Sequence, residues 1–170
     1  MIQLVLGGAR SGKSRYAEQC AQHNGKTVIY IATAQAWDEE MQARIQHHKD
    51  SRPEHWQTLE EPLDLVGVIG RFDGAQYCIL IDCLTLWVTN LLCAEQPVAP
   101  ARADFLAALE ASTADIILVS NETGMGVVPM GELSRQFCDE SGWLHQAVAA
   151  LADRVTLMVA GIPMPVKQPN

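Results

Sequence analysis

Apolar residues along the chain cluster in short continuous runs separated by longer stretches with helical spacing. The runs Ile2–Leu6, Thr27–Ala32, Tyr77–Ile81, Asp115–Val119 and Val155–Ala160 are rich in β-branched residues. Each is predicted to be a strand covered on both faces, as in a parallel sheet. Helices are predicted over Lys13–His23, ahead of Asn24-Gly25, and over Trp37–His48, Pro62–Arg71, Leu84–Cys93, Ala103–Ala111 and Glu140–Ala152. Strands alternating with helices imply a layered α/β sheet with right-handed crossovers. The segment Glu95–Ala101, which holds Pro97 and Pro100, reads as a surface connection. There is no internal repeat or low-complexity tract, and the spacings do not encode strand order.

A chain of 170 residues is about the size of one domain, and a single catalytic unit over residues 1–170 is expected. Twelve Lys and Arg stand against 20 Asp and Glu, a formal charge of -8. That balance opposes binding to nucleic acid and to anionic lipid surfaces. The chain opens directly into the apolar Ile2–Leu6 run without a basic leader, and no apolar stretch approaches membrane-spanning length, so a soluble cytoplasmic protein is expected. Cys20, Cys78, Cys83, Cys93 and Cys138 are odd in number and lack C-x-x-C spacing. They read as buried thiols and not as disulfides or zinc ligands.

The first candidate chemistry lies between the first strand and the first helix. Gly7-Gly8-Ala9-Arg10-Ser11-Gly12-Lys13-Ser14 matches G-x-x-x-x-G-K-S in full, in the strand-to-helix context that a phosphate-binding loop requires. Its glycines let backbone N–H groups turn inward around phosphates, and the helix N-terminus adds partial positive charge. Lys13 is expected to reach the β and γ phosphates and Ser14 to ligate magnesium. Asp82 closes the run Tyr77–Ile81, where such proteins hold the metal through its hydration shell. A helix cap ahead of Leu84 is the simpler reading of the same aspartate. The expected fold is therefore a P-loop NTPase of the RecA-like kind, a mostly parallel sheet flanked by helices, acting on a nucleoside triphosphate.

A second candidate lies in the segment Asp38–Lys49. As an amphipathic helix it places Trp37, Met41, Ile45 and His48 on the apolar stripe and His47 beside Glu40 and Arg44. A neutral imidazole is a competent nucleophile toward phosphorus, and the charges of His48 and Lys49 disfavour protonation of His47. On its own, an exposed histidine near a helix C-terminus also serves simply to complement the helix dipole.

Further motifs carry a closer likeness. The P-loop is followed by Tyr30-Ile31-Ala32-Thr33-Ala34, Asp38-Glu39-Glu40-Met41, Arg44-Ile45-Gln46-His47-His48 and Arg52-Pro53. Val88-Thr89-Asn90-Leu91-Leu92, Val119-Ser120-Asn121-Glu122-Thr123-Gly124-Met125-Gly126-Val127-Val128-Pro129, Arg135-Gln136-Phe137, Ala152-Asp153 and Ala160-Gly161-Ile162-Pro163 continue the series. Over nearly the whole chain this resembles the bifunctional adenosylcobinamide kinase / adenosylcobinamide-phosphate guanylyltransferase family of cobalamin biosynthesis.

The resemblance implies two reactions: phosphorylation of the aminopropanol hydroxyl of adenosylcobinamide, then transfer of GMP from GTP to that phosphate. It makes His47 the covalent GMP carrier, Lys13 a catalytic cation, and ATP or GTP with Mg2+ the donor. It also implies nucleotide contacts from Ile31, Ala32 and Thr33, from His48, Lys49, Asp50 and Ser51, and from Glu60 and Asp82, and a homotrimer. Blander roles stand beside these: core packing for Ile31 and Ala32, helix termination for Lys49–Ser51, and capping of a helix at Pro62 for Glu60. Asn121 and Glu122 fall at the sheet end where open α/β proteins bind ligands, without an assigned role. Gly124, Gly126 and Pro129 form a loop, read either as ligand contact or as a turn with positive φ. Arg135 is a partner for a phosphate or for Asp139. The chain departs from the family pattern at Trp143-Leu144-His145-Gln146, where a Gly-Arg-x-Asn-Gln segment is expected, and at Asp82, where glutamate is frequent. Two simpler readings of the P-loop are a metabolite kinase without nucleotidyl transfer and a non-catalytic nucleotide switch.

Overall fold

A computed structural model describes residues 1–35, 53 and 55–169. Its elements are β1 (Ile2–Gly7), α1 (Lys13–His23), β2 (Thr27–Ala32), β3 (Gln57–Glu60), α2 (Leu65–Arg71), β4 (Tyr77–Asp82), α3 (Leu84–Cys93), α4 (Val98–Ala111), β5 (Asp115–Asn121), α5 (Glu132–Leu151), β6 (Arg154–Val159) and β7 (Ile162–Lys167). The helix expected over Trp37–His48 lies outside the described residues.

The strands form one seven-stranded sheet in the order β3-β2-β4-β5-β1-β6-β7. Every neighbouring pair is parallel except β6–β7, a hairpin turned at Ala160 and Gly161, both with positive φ. Alternation along each strand divides the core into two layers. Leu4, Ile29, Ile31, Ile79, Ile81, Ile116 and Leu118 pack with buried residues of α2, α3, α4 and α5. Val5, Tyr30, Leu80, Ile117 and Val119 face Ala17 and Ala21 of α1. Burying such an aliphatic side chain stabilises the fold by roughly 1.5–3 kcal/mol relative to leaving it exposed. Trp87 and Phe105, both fully buried, meet at 5.0 Å between ring centroids and lock α3 to α4.

The expected strands are present, and two more were not anticipated. Residues 57–60 lack an apolar run because β3 is an edge strand, hydrogen-bonded to β2 with Gln57, Thr58 and Glu60 exposed. Residues 162–167 contain Pro163 and Pro165, which argue against a central strand but are tolerated on an edge, where β7 lies. The surface connection expected over Glu95–Ala101 is shorter, because α4 starts at Val98. Pro100 sits in its first turn, where a backbone N–H has no intrahelical acceptor to lose. The last helix begins at Glu132 and not at Glu140. α2 begins at Leu65 and not at Pro62; Asp64 caps it by accepting from the Gly67 amide at 2.8 Å.

The cysteines are all unpaired, as expected, but only Cys78 and Cys83 are buried; Cys20 and Cys138 are half-buried and Cys93 is exposed. Burial pushes the Cys78 thiol up to about 12 and the Cys83 thiol up to about 11, so neither is a nucleophile near neutral pH. No helix among the described residues is long and apolar enough to cross a membrane.

Because Phe105 is fully enclosed, Phe105→Ala is expected to cost about 3–5 kcal/mol in urea unfolding. Val127, 98% exposed, is expected to change stability by no more than about 0.5 kcal/mol on truncation to alanine.

Candidate phosphate-binding and transfer site

The sheet order decides which groups meet. β5 lies between β1 and β4, pairing Gly7 with Asn121 on one side and Val119 with Asp82 on the other. β4 in turn pairs Asp82 with Ala32 of β2, and Ala32 pairs with Glu60 of β3. The C-terminal ends of five parallel strands thus form a polar rim at the point where ligands bind open α/β sheets.

At the β1 end of that rim the P-loop leaves β1 and enters α1. Gly12, immediately ahead of the helix, has φ 90 and ψ 9, a left-handed conformation open to glycine at little cost. Gly7 is required for a different reason: a Cβ there would lie 2.9 Å from the Met158 carbonyl oxygen of β6 and closer still to Ser11 Oγ. The loop is braced by hydrogen bonds from the Ser11 amide to the Gly8 carbonyl at 3.3 Å and from the Gly161 amide to the Ser11 carbonyl at 3.0 Å. The β6–β7 hairpin is therefore the wall behind the phosphate loop.

Lys13 is buried, and its ammonium donates to the Gly8 carbonyl at 2.9 Å. Desolvation lowers its pKa, opposed by the nearby Asp82 carboxylate and by Cys83. A phosphate arriving in the loop supplies the counter-charge that a desolvated ammonium lacks. Ser11 Oγ is also buried and has no hydrogen-bond partner among the described residues, a hydroxyl suited to an incoming oxygen ligand.

Asp82 receives a hydrogen bond from the Tyr30 hydroxyl at 3.0 Å, which orients the carboxylate at the strand end. Behind it, Thr33 Oγ1 donates to the Cys83 carbonyl at 2.8 Å and accepts from the Cys83 amide at 2.7 Å. Asn90 Nδ2 donates to the Thr33 carbonyl at 2.8 Å and to the Pro62 carbonyl at 3.0 Å. These buried bonds pin the ends of β2 and β4 to α3, and they commit the Thr33 hydroxyl to structure. Ile31 and Ala32 are buried in the two core layers. Glu60 is exposed on the rim beside Ala32, and the turn before α2 is instead closed by Glu61, which accepts from the amides of Leu63 and Asp64. His47, His48, Lys49, Asp50 and Ser51 lie outside the described residues.

The half-buried Ser14 in the first turn of α1 and Asp82 both offer oxygen, the donor type that magnesium selects. The Coulombic contact of Asp82 with Lys13 puts the carboxylate near the loop that would hold the phosphates. The residues present therefore fit such an ion.

Several rim residues carried no local signal in the sequence. Tyr30 read as core, and its hydroxyl contact with Asp82 depends on β2 lying beside β4. Thr85 receives the Asn121 side-chain amide at 2.9 Å. Ser120 and His145, both buried, are joined Oγ to Nε2 at 2.7 Å, and burial lowers the His145 pKa against the raising effect of Glu122. The histidine that departs from the family pattern is thus a neutral core partner of β5. Arg135 donates to the carbonyls of Pro129 and Met130 and so shapes the loop before α5. Neither Gly124 nor Gly126 of that loop has positive φ.

Comparison with known proteins agrees with this geometry. The flagellar accessory protein FlaH from Methanocaldococcus jannaschii superposes with a TM-score of 0.57 at 12% identity, covering 99% of this chain and 78% of that one. The RadB recombinase superposes with a TM-score of 0.52 at 13% identity, covering 92% and 73%. At these identities the likeness is one of fold, that of P-loop NTPases with a mostly parallel sheet. In sequence, the chain is 56% identical over 169 residues to the bifunctional adenosylcobalamin biosynthesis protein CobP of Pseudomonas aeruginosa, covering 98% of both. It is 41% identical over 182 aligned positions to the bifunctional adenosylcobalamin biosynthesis protein CobU of Escherichia coli, covering 98% of this chain and 100% of that one. The family model described as cobinamide kinase / cobinamide phosphate guanyltransferase matches residues 3–166. The chain belongs to the cobinamide kinase / cobinamide phosphate guanyltransferase family.

Proposed function

We propose that the chain carries both activities for which its family is named. It phosphorylates the aminopropanol hydroxyl of adenosylcobinamide with ATP or GTP, then transfers GMP from GTP to that phosphate, giving adenosylcobinamide-GDP and pyrophosphate. The observation that carries this reading is the alignment of a complete P-loop, with buried Lys13, beside Asp82 in a chain that matches its relatives end to end.

In the kinase step Lys13 and the loop amides hold the β and γ phosphates, and the γ group passes to the alcohol. In the second step the same loop holds the triphosphate tail as the leaving group. A ring nitrogen of His47 attacks the α phosphorus, the N–P bond forms, and the bond from Pα to the bridging oxygen breaks with its electrons going to pyrophosphate. An oxygen of adenosylcobinamide phosphate then attacks the same phosphorus and releases His47. Splitting the transfer into two displacements lets one pocket handle GTP first and the bulky corrinoid afterwards. Ser14 and Asp82 would hold a magnesium ion, which would supply charge neutralisation for the phosphates. Thr33 supports the site from the core through Cys83, and Ile31 and Ala32 give the rim its rigid base. Glu60 and His48–Ser51 complete the nucleotide contacts. The working assembly is a homotrimer in the cytoplasm.

Incubation with α-labelled GTP and magnesium is expected to give an acid-labile protein adduct that His47→Ala abolishes. An unlabelled wild type that still phosphorylates cobinamide would reduce the function to a simple kinase. Lys13→Ala is expected to lower kcat of both steps by about 10²-fold or more, and chelation of magnesium to stop both, each read by product chromatography. Sedimentation equilibrium is expected to give three times the 18.6 kDa chain mass.

A further inference from the structure

A cavity of about 370 Å³ opens against the P-loop on the side of β5, lined by Ala9, Thr85, Leu86, Thr89, Glu122 and Phe137 among others. We infer that this cavity seats the acceptor alcohol of the kinase step and that Glu122 is the general base that takes its proton. The inference deepens the proposed function and rests on its kinase half.

Three observations lead there. Position comes first: β5 runs between β1 and β4, so its C-terminal end emerges between the phosphate loop and the Asp82 carboxylate. The Glu122 amide donates to the Gly7 carbonyl at 3.0 Å, which fastens Glu122 beside the first residue of the loop, and Ala9 of the same loop forms a wall of the cavity. An alcohol seated here lies next to the phosphate end of a bound triphosphate.

Chemistry comes second. The hydroxyls of Thr85 and Thr89 in the lining are already engaged. Thr85 Oγ1 receives the Asn121 amide at 2.9 Å and contacts Cys83 Sγ at 3.1 Å, while Thr89 Oγ1 donates to the Thr85 carbonyl at 3.0 Å. Glu122 is the one titratable side chain in the lining. Its Oε1 accepts from the Gly124 amide at 2.6 Å, which orients the carboxylate and uses one of its roughly four acceptor positions. Asp82, the other carboxylate at this rim, is held by Tyr30 and does not line the cavity.

Shape is the third. Leu86 and Phe137 supply apolar parts of the lining, which suits a short aliphatic arm bearing a secondary hydroxyl better than a sugar or a second nucleotide. In the step itself the hydroxyl oxygen forms a bond to the γ phosphorus. The bond from that phosphorus to the β,γ-bridging oxygen breaks with its electrons going to the departing nucleoside diphosphate. The hydroxyl proton passes to Glu122 and from there to water.

The test compares wild type, Glu122→Gln and Glu122→Asp in phosphorylation of cobinamide, with ATP affinity as the folding control. The amide variant is expected to lose kcat by about 10²-fold or more, with acceptor KM changed less than threefold and ATP affinity retained. The acid limb of the wild-type pH–rate profile should disappear in Glu122→Gln and persist in Glu122→Asp. Retention of kcat within about threefold in Glu122→Gln would overturn the assignment of the base. A rise in acceptor KM with kcat unchanged would make Glu122 a binding group only and overturn it as well. A wild type that phosphorylates no cobinamide would overturn the kinase reading itself, an outcome separable from the other two because it is seen before any substitution.

Discussion

Everything at the catalytic rim depends on the insertion of β5 between β1 and β4. Parallel pairing in that order sets Gly7 beside Asn121 and Asp82 beside Val119, so a phosphate loop, a metal-type carboxylate and a loop bearing a second carboxylate leave the sheet side by side. The sheet is buried on both faces along β1, β4 and β5, and a slip of one residue would turn each strand's apolar set to the wrong layer. Hydrophobic burial thus contributes to the register that places the polar rim. Hydrogen bonds then sharpen it: Thr33 and Asn90 tie β2 and β4 to α3, and the Gly161 amide braces the loop from the hairpin.

Within that frame Lys13 is desolvated beside the Asp82 carboxylate. The ammonium is buried enough to be lowered by desolvation, and the carboxylate offsets part of that cost. Such a site favours an arriving polyphosphate over water, because the anion restores what the buried cation has lost. One loop with this property suits two different reactions on the same triphosphate. In the proposed mechanism, which phosphorus reacts is then a matter of where the nucleophile stands, an alcohol near the γ end in one case and an imidazole near the α phosphorus in the other.

Much of this was legible in the sequence because its causes are local. The P-loop announces itself through glycine positions and the adjoining Lys13 and Ser14, and the five central strands through runs that are apolar on both faces. What stayed hidden has long-range causes. β3 and β7 are edge strands with exposed residues, so neither carries the apolar run that marked the others. The start of α4 was obscured by Pro97 and Pro100, which break helices in the interior but are accommodated at an N-terminus. The contacts of Tyr30 with Asp82 and of Ser120 with His145 exist only because of strand order and helix packing. Their place just past a predicted strand marked Asn121 and Glu122 as residues of interest, but their position relative to the phosphate loop follows from strand order.

The central claim is that one phosphate loop serves two transfers and that GMP is carried on the protein between donor and acceptor. Its most direct test is the stereochemical course at the α phosphorus, followed with GTP made chiral there by sulfur and oxygen-isotope substitution and with adenosylcobinamide phosphate as acceptor. Two successive in-line displacements predict net retention of configuration in the product, whereas inversion would mean a single direct transfer and would contradict the account.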